Sequence, residues 1–265
     1  MSYGYRRNYD QRLPVMDLGG GVLLALAGFA AGAINAAAGG GSLVTFPALI
    51  AVGYPPLIAN VTNNVAVSPG YATGAWGYRR ELRGQRGRIV PLVAVSAFGS
   101  LVGVGLILVS SQQAFDGVVP FLVLAACTLL AVQPAIGRRI GERPGEGERP
   151  GAIALVGQTL AAVYGGYFGA ALGVAVLALL GTFLDDTLQR LNALKAVLQL
   201  VIGGTAAIGF ILLTPVAWVA VAIVGPASLA GGLVGARLAK MVSDRVLRGG
   251  IVTYGVIAAV WLFLR

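Results

Sequence analysis

Alternation of long apolar runs with short polar stretches constrains this chain more than any other feature. Ten apolar segments follow one another: 18–38, 42–52, 57–78, 89–109, 118–136, 152–172, 174–184, 191–213, 216–236 and 249–264. Eight are about the length of a membrane crossing. Ser42–Val52 and Val174–Leu184 have only 11 residues, about 16 Å of helix against a ~30 Å hydrocarbon core. Charged residues are 11% of the chain, too few to cover a soluble protein of this size. The formal charge of +9 lies in short clusters between apolar runs. That placement fits membrane topology and not nucleic-acid binding. Histidine is absent and cysteine occurs once, which removes His-ligated metal sites, His-based triads and a disulfide framework. There is no P-loop motif, and every Asp and Glu falls at a loop or segment end. An intramembrane aspartyl protease or carboxylate relay is therefore not expected. The expectation is an all-α polytopic integral membrane protein, multi-pass in the inner (plasma) membrane, with no enzymatic role, cofactor or metal.

Sliding the chain by 134 residues aligns its halves. Gly32 falls on Gly166, Ala36 on Ala170, Ala37 on Ala171, Gly39 on Gly173, Leu43 on Leu177 and Ala59 on Ala193. The order long, short, long, long, long recurs in each half. Five segments per half would set the second repeat upside down relative to the first. The expected organisation is a polar tail over 1–17, a first repeat over 18–137, a cytoplasmic linker over 138–150 and a second repeat over 151–265. Arg6, Arg7 and Arg12 before an apolar run ending in Ala36–Ala38 resemble a signal peptide, but the run resumes through Ala51. With the Arg79–Arg88 loop placed in the cytoplasm, alternation puts 14 basic residues inside and four outside, namely Arg6, Arg7, Arg12 and Arg265. The short segments are either short crossings or the return arms of hairpins; charge counting does not separate these.

Three polar constellations sit within the apolar segments. The first runs from Asn35 through Gly39, Gly40 and Gly41 to Ser42 and Thr45. Consecutive glycines break a helix, and the start of the next helix would offer backbone N–H groups to an anion. Close packing by small residues is the alternative. The second is Asn60, Thr62, Asn63 and Asn64, with Asn60, Asn63 and Asn64 on one helix face. That face must meet protein or water, either as a site or as interhelical hydrogen-bonding glue; Pro69 would loosen the helix below. The third is Asn192, Lys195 and Gln199. Lys195 either faces a cavity, where its ammonium suits an anion, or snorkels to the interface. Asp185 and Asp186 are expected to be solvated or to cap a helix with Arg190.

The glycine break with Ser42-Leu43 and Phe46-Pro47, then Gly53-Tyr54-Pro55-Pro56 and Ala59-Asn60-Val61-Thr62-Asn63, resembles the sulfite exporter TauE/SafE family of membrane permeases. So do Gly165–Gly169, Asn192-Ala193-Leu194-Lys195 and the Gly231–Arg237 run. The resemblance begins near Leu18 and covers nearly the whole chain. Thr62-Asn63-Asn64 stands where many members carry a Thr-Ser pair. The resemblance implies secondary transport of small anions, notably sulfite, organosulfonates and related sulfur compounds. The expected site joins Asn35, Gly39, Gly40, Gly41, Ser42, Asn60, Thr62, Asn63, Lys195 and Gln199, between repeats that alternate access. The expected partners are a small anionic substrate and the lipid bilayer, with no nucleic acid; a homo-oligomer is compatible. A passive anion channel and a non-transporting scaffold are the alternatives.

Overall fold

The computed structural model describes residues 16–37, 39–139, 150–238 and 244–264. The tail before residue 16 and most of the 138–150 linker lie outside the described residues, as do residues 239–243 and the side chains of 234–248. Among the described residues every regular element is a helix: α1 (Leu18–Ala37), α2 (Ser42–Ala51), α3 (Pro56–Gly77), α4 (Arg86–Val109), α5 (Gln112–Arg139), α6 (Ala152–Tyr167), α7 (Leu172–Phe183), α8 (Leu188–Leu213), α9 (Trp218–Leu238) and α10 (Asp244–Phe263). Four are long and apolar enough to cross a membrane: Leu18–Asn35 of α1, Arg86–Val109, Gln112–Val132 and Leu188–Leu213. The chain is an all-α, multi-pass membrane protein. α3 has 22 residues yet falls outside that set, because its polar face lowers its apolar content. Asn60, Thr62, Asn63 and Asn64 are all buried in protein, which removes the cost of setting them against lipid. Pro69 does not interrupt α3.

Helix starts in the two halves correspond. Leu18 and Ala152 are 134 residues apart, and the other four pairs are 130–132 apart. Packing follows the same exchange. α1 lies along α9, and α6 lies along α4. α3 packs on α8. α3 also meets α9, as α8 meets α4, and α5 meets α10. Gly32 and Gly166 show why the first pairs can approach so closely. A Cβ on Gly32 would stand 1.9 Å from the Ser228 carbonyl oxygen, and one on Gly166 would stand 2.3 Å from that of Ser100. Only hydrogen fits at either crossing, the small-residue packing expected between membrane helices.

The second break differs from its sequence expectation. The apolar run 152–172 reads as one helix, but α6 stops at Tyr167 and α7 starts at Leu172. Gly169 (φ +75°) and Ala171 (φ +54°) adopt left-handed backbone, which ends a helix whatever its hydropathy.

Candidate functional site

The first break folds back on its own side chain. Oδ1 of Asn35 accepts a 2.8 Å hydrogen bond from the Gly41 amide. The Leu43 amide donates to Gly40 O, and those of Val44 and Thr45 to Gly41 O. The amides of Gly41, Leu43, Val44 and Thr45, at the start of α2, therefore already have acceptors within the chain. Gly39 turns with φ +81°, and a Cβ there would lie 3.1 Å from the Cα of Gly173. The two breaks thus touch, at positions that the 134-residue shift pairs.

Much of the second constellation is engaged by protein contacts, although Oδ1 of Asn60 and Oδ1 of Asn64 are buried with no hydrogen-bond partner among the described residues. Thr45 Oγ1 donates to Asn63 Oδ1. Asn60 Nδ2 donates to the Tyr167 carbonyl at 2.8 Å, and Thr62 Oγ1 accepts from the Ala217 amide at 3.1 Å. These residues tie α2, the second break and the start of α9 to α3. Ser42 is also buried, and its side chain meets that of Tyr71. The structure sets Gly39, Gly40, Gly41, Ser42, Asn60, Thr62 and Asn63 outside the cavity wall described next.

That cavity holds about 400 Å³ between α1, α3, α8 and α9. Asn35, Lys195 and Gln199 line it, so three of the expected site residues come together. Its other polar walls are Tyr71, Thr73, Ser228, Tyr78 and Glu81. Val67, Ala196 and Leu233 supply apolar surface. Lys195 is only 6% exposed, and its ammonium has no hydrogen bond or ion pair among the described residues. Gln199 marks the inner limit, since a Cβ on Gly173 would stand 2.8 Å from its Nε2. Tyr71 lies flat against α8, where Gly203 leaves space for its ring. Tyr71, Thr73 and Ser228 escaped the sequence reading, although part of the signal was present. Asn60, Asn63, Asn64, Val67, Tyr71, Gly74 and Tyr78 continue one helical face at steps of three and four.

The cavity wall extends to Tyr78 and Glu81, in the arginine-bearing loop between α3 and α4. Burial and the Glu81 charge push the Tyr78 phenol above its usual range. The same loop is clamped to the other half of the chain. Arg88 Nη1 lies 2.5 Å and Arg190 Nε 3.0 Å from Oδ2 of Asp186. Gln85 Nε2 donates to the Arg190 carbonyl, and Arg190 Nη1 donates to that of Arg83. Asp186 is 1% exposed, so of the two sequence expectations it meets the second: it pairs with Arg190 at the start of α8 and accepts the Thr187 amide. Burial alone would raise its carboxyl, but bonds from Arg190, the Thr187 amide and Arg88 hold it below the ordinary carboxylate range.

A bundle of crossing, short and interrupted helices around a partly open, mostly apolar cavity with a few polar groups on its wall suits a membrane transport protein. The family model for sulfite exporter TauE/SafE matches residues 24–262, and the chain belongs to that family. A probable membrane transporter protein of Haemophilus influenzae is 30% identical over 239 residues, 87% of this chain and 89% of the relative. The probable membrane transporter protein YfcA of Escherichia coli K12 is 27% identical, over 84% of this chain and 81% of its own length. A probable membrane transporter protein of Sinorhizobium is 30% identical over 114 residues, which span 43% of this chain and less than half (44%) of that relative. No solved structure matches.

Proposed function

We propose that the protein is a secondary transporter that exports a small anion, sulfite or an organosulfonate or related sulfur compound. The observation that carries this reading is Lys195, a buried ammonium on the cavity wall that forms no ion pair among the described residues, the Glu81 carboxylate lying on the loop part of the same wall. A buried cation is costly unless something neutralises it; a bound anion would do so. The Asn35 amide hydrogens and Gln199 stand on the same wall. The export direction rests on the reach of the cavity to the Tyr78–Glu81 loop, whose arginines mark the cytoplasmic side by charge counting. The anion would load there and leave after the two halves, organised as inverted repeats over 18–137 and 151–265, rock about the contact between the breaks.

Purified protein in detergent is heated with sulfite, sulfoacetate, thiosulfate and small carboxylates in turn. A bound anion raises the melting temperature of the wild type, and Lys195→Met abolishes the rise. Absence of any shift in the wild type, or an unchanged shift in Lys195→Met, defeats the proposal. Counterflow in proteoliposomes separates a carrier from a passive channel, because only a carrier exchanges labelled for unlabelled anion against the gradient.

A further inference from the structure

We infer that the transported anion carries a hydroxyl group at its other end, and that Thr73 and Ser228 select for it. This inference rests on the anion-binding role given above to Lys195. It comes from counting donors and acceptors around the cavity. Lys195 offers donors only. Asn35 has its carbonyl oxygen engaged by the Gly41 amide, so its NH₂ group remains for a ligand. One part of the wall therefore suits an oxyanion. The α3–α9 seam has the opposite character. Thr73 Oγ1 donates to the Gly70 carbonyl at 2.7 Å, and Ser228 Oγ donates to the Gly225 carbonyl at 2.9 Å. Each hydroxyl has spent its single proton on its own helix and presents lone pairs alone.

The two oxygens belong to one seam. A Cβ on Gly232 would stand 3.6 Å from Thr73 Oγ1, and one on Gly70 would stand 4.0 Å from Ser228 Oγ. Glycine faces each oxygen across the seam, so no side chain at position 70 or 232 covers it, and both residues line the cavity although Ser228 is buried. Lone pairs repel a bare oxyanion but accept a hydrogen bond from an O–H. An ammonium would instead suit the loop end of the wall, where the Glu81 carboxylate has a buried oxygen with no hydrogen bond among the described residues; the seam itself offers it no charge. Val67, Ala196 and Leu233 suit the carbon atoms between the two ends. The cavity, about 400 Å³, is also many times the ~30 Å³ share of one water molecule, more room than an inorganic oxyanion fills.

The test is the ratio of dissociation constants for a matched pair, ethanesulfonate and 2-hydroxyethanesulfonate, on the purified full chain, with sulfite as a third ligand. The hydroxyl is expected to tighten binding roughly 3–10-fold in the wild type. Thr73→Val and Ser228→Ala should each pull that ratio toward one. Because the ratio is internal to each variant, a partly unfolded preparation does not mimic the result. Equal affinities for the pair in the wild type, or an undiminished ratio in both variants, overturns the inference while leaving anion binding intact. If none of the three ligands binds the wild type, the anion reading falls and this inference falls with it.

Discussion

The two helix breaks occupy equivalent places in the two halves and touch each other, yet they are built differently. The first is held by a side chain: Asn35 caps the Gly41 amide from one face and looks into the cavity from the other. The second is held by its own backbone and by neighbours. The Gly169 amide bonds to Tyr164 O, the Tyr164 hydroxyl donates to Ala170 O at 2.6 Å, and Asn60 takes up the Tyr167 carbonyl. Phe168 then packs edge-on against Phe46 of α2, with ring centroids 5.2 Å apart. The short helices also end differently. α2 leads into Gly53-Tyr54-Pro55, an uncharged turn, whereas α7 leads to Asp186 and its two arginines. One break opens on the cavity through Asn35; the other is packed within protein. On the proposed function, the first break would meet the ligand and the second would hold the frame.

The ionic anchor gives the largest expected effect. Asp186→Asn leaves Arg88 buried without its carboxylate and should cost about 3 kcal/mol or more, seen as a lower melting temperature in detergent. The pH dependence has a definite sign. A carboxyl held low contributes stability that is present above its unfolded pKa of about 4 and is lost as pH falls through its folded value. Wild-type stability should therefore be flat near neutrality and decline in acid, and Asp186→Asn should lose that part of the decline. An acid profile identical in wild type and variant would show that the anchor does not stabilise the fold.

Next come the crossings. Gly32→Ala and Gly166→Ala each force a Cβ into a backbone carbonyl and should cost about 2–3 kcal/mol. Near-equal losses in the two variants would sharpen the two-fold correspondence of α1–α9 with α6–α4; a large loss in one alone would break it. Lys195→Met comes third. It should weaken anion binding roughly 10–100-fold and leave the melting temperature of the empty protein the same or higher. The smallest effects divide the two breaks most cleanly. Asn35→Ala and Tyr164→Phe each remove one hydrogen bond worth about 1 kcal/mol. Only Asn35→Ala should also lower transport in proteoliposomes. Equal transport losses from both would erase the functional contrast between the breaks.

The sequence was enough to place the helices because its signals are local and repeated. Apolar length, glycine runs and clustered arginines are readable residue by residue, and they located the ten helices among the described residues. Boundaries failed where backbone geometry mattered more than hydropathy, as at Gly169 and Ala171. The site was only partly legible. Asn35, Lys195 and Gln199 stood out as polar residues in apolar segments and do meet in the cavity. Asn60, Thr62 and Asn63 stood out for the same reason, but their hydrogen bonds go to Tyr167, Ala217 and Thr45. Polarity in a membrane segment says that a partner is required; it does not say whether that partner is a ligand or a distant carbonyl.

By itself, then, the sequence determined the membrane class, the helix order and the correspondence between halves, because burial in lipid imposes composition and periodicity on every spanning segment. Tertiary structure decided which polar atoms remain free. Thr62 meets Ala217 across 155 residues and Arg88 meets Asp186 across 98, and no local pattern records such pairings. The same holds for Lys195, whose lack of a partner becomes visible only once every neighbouring helix is in place.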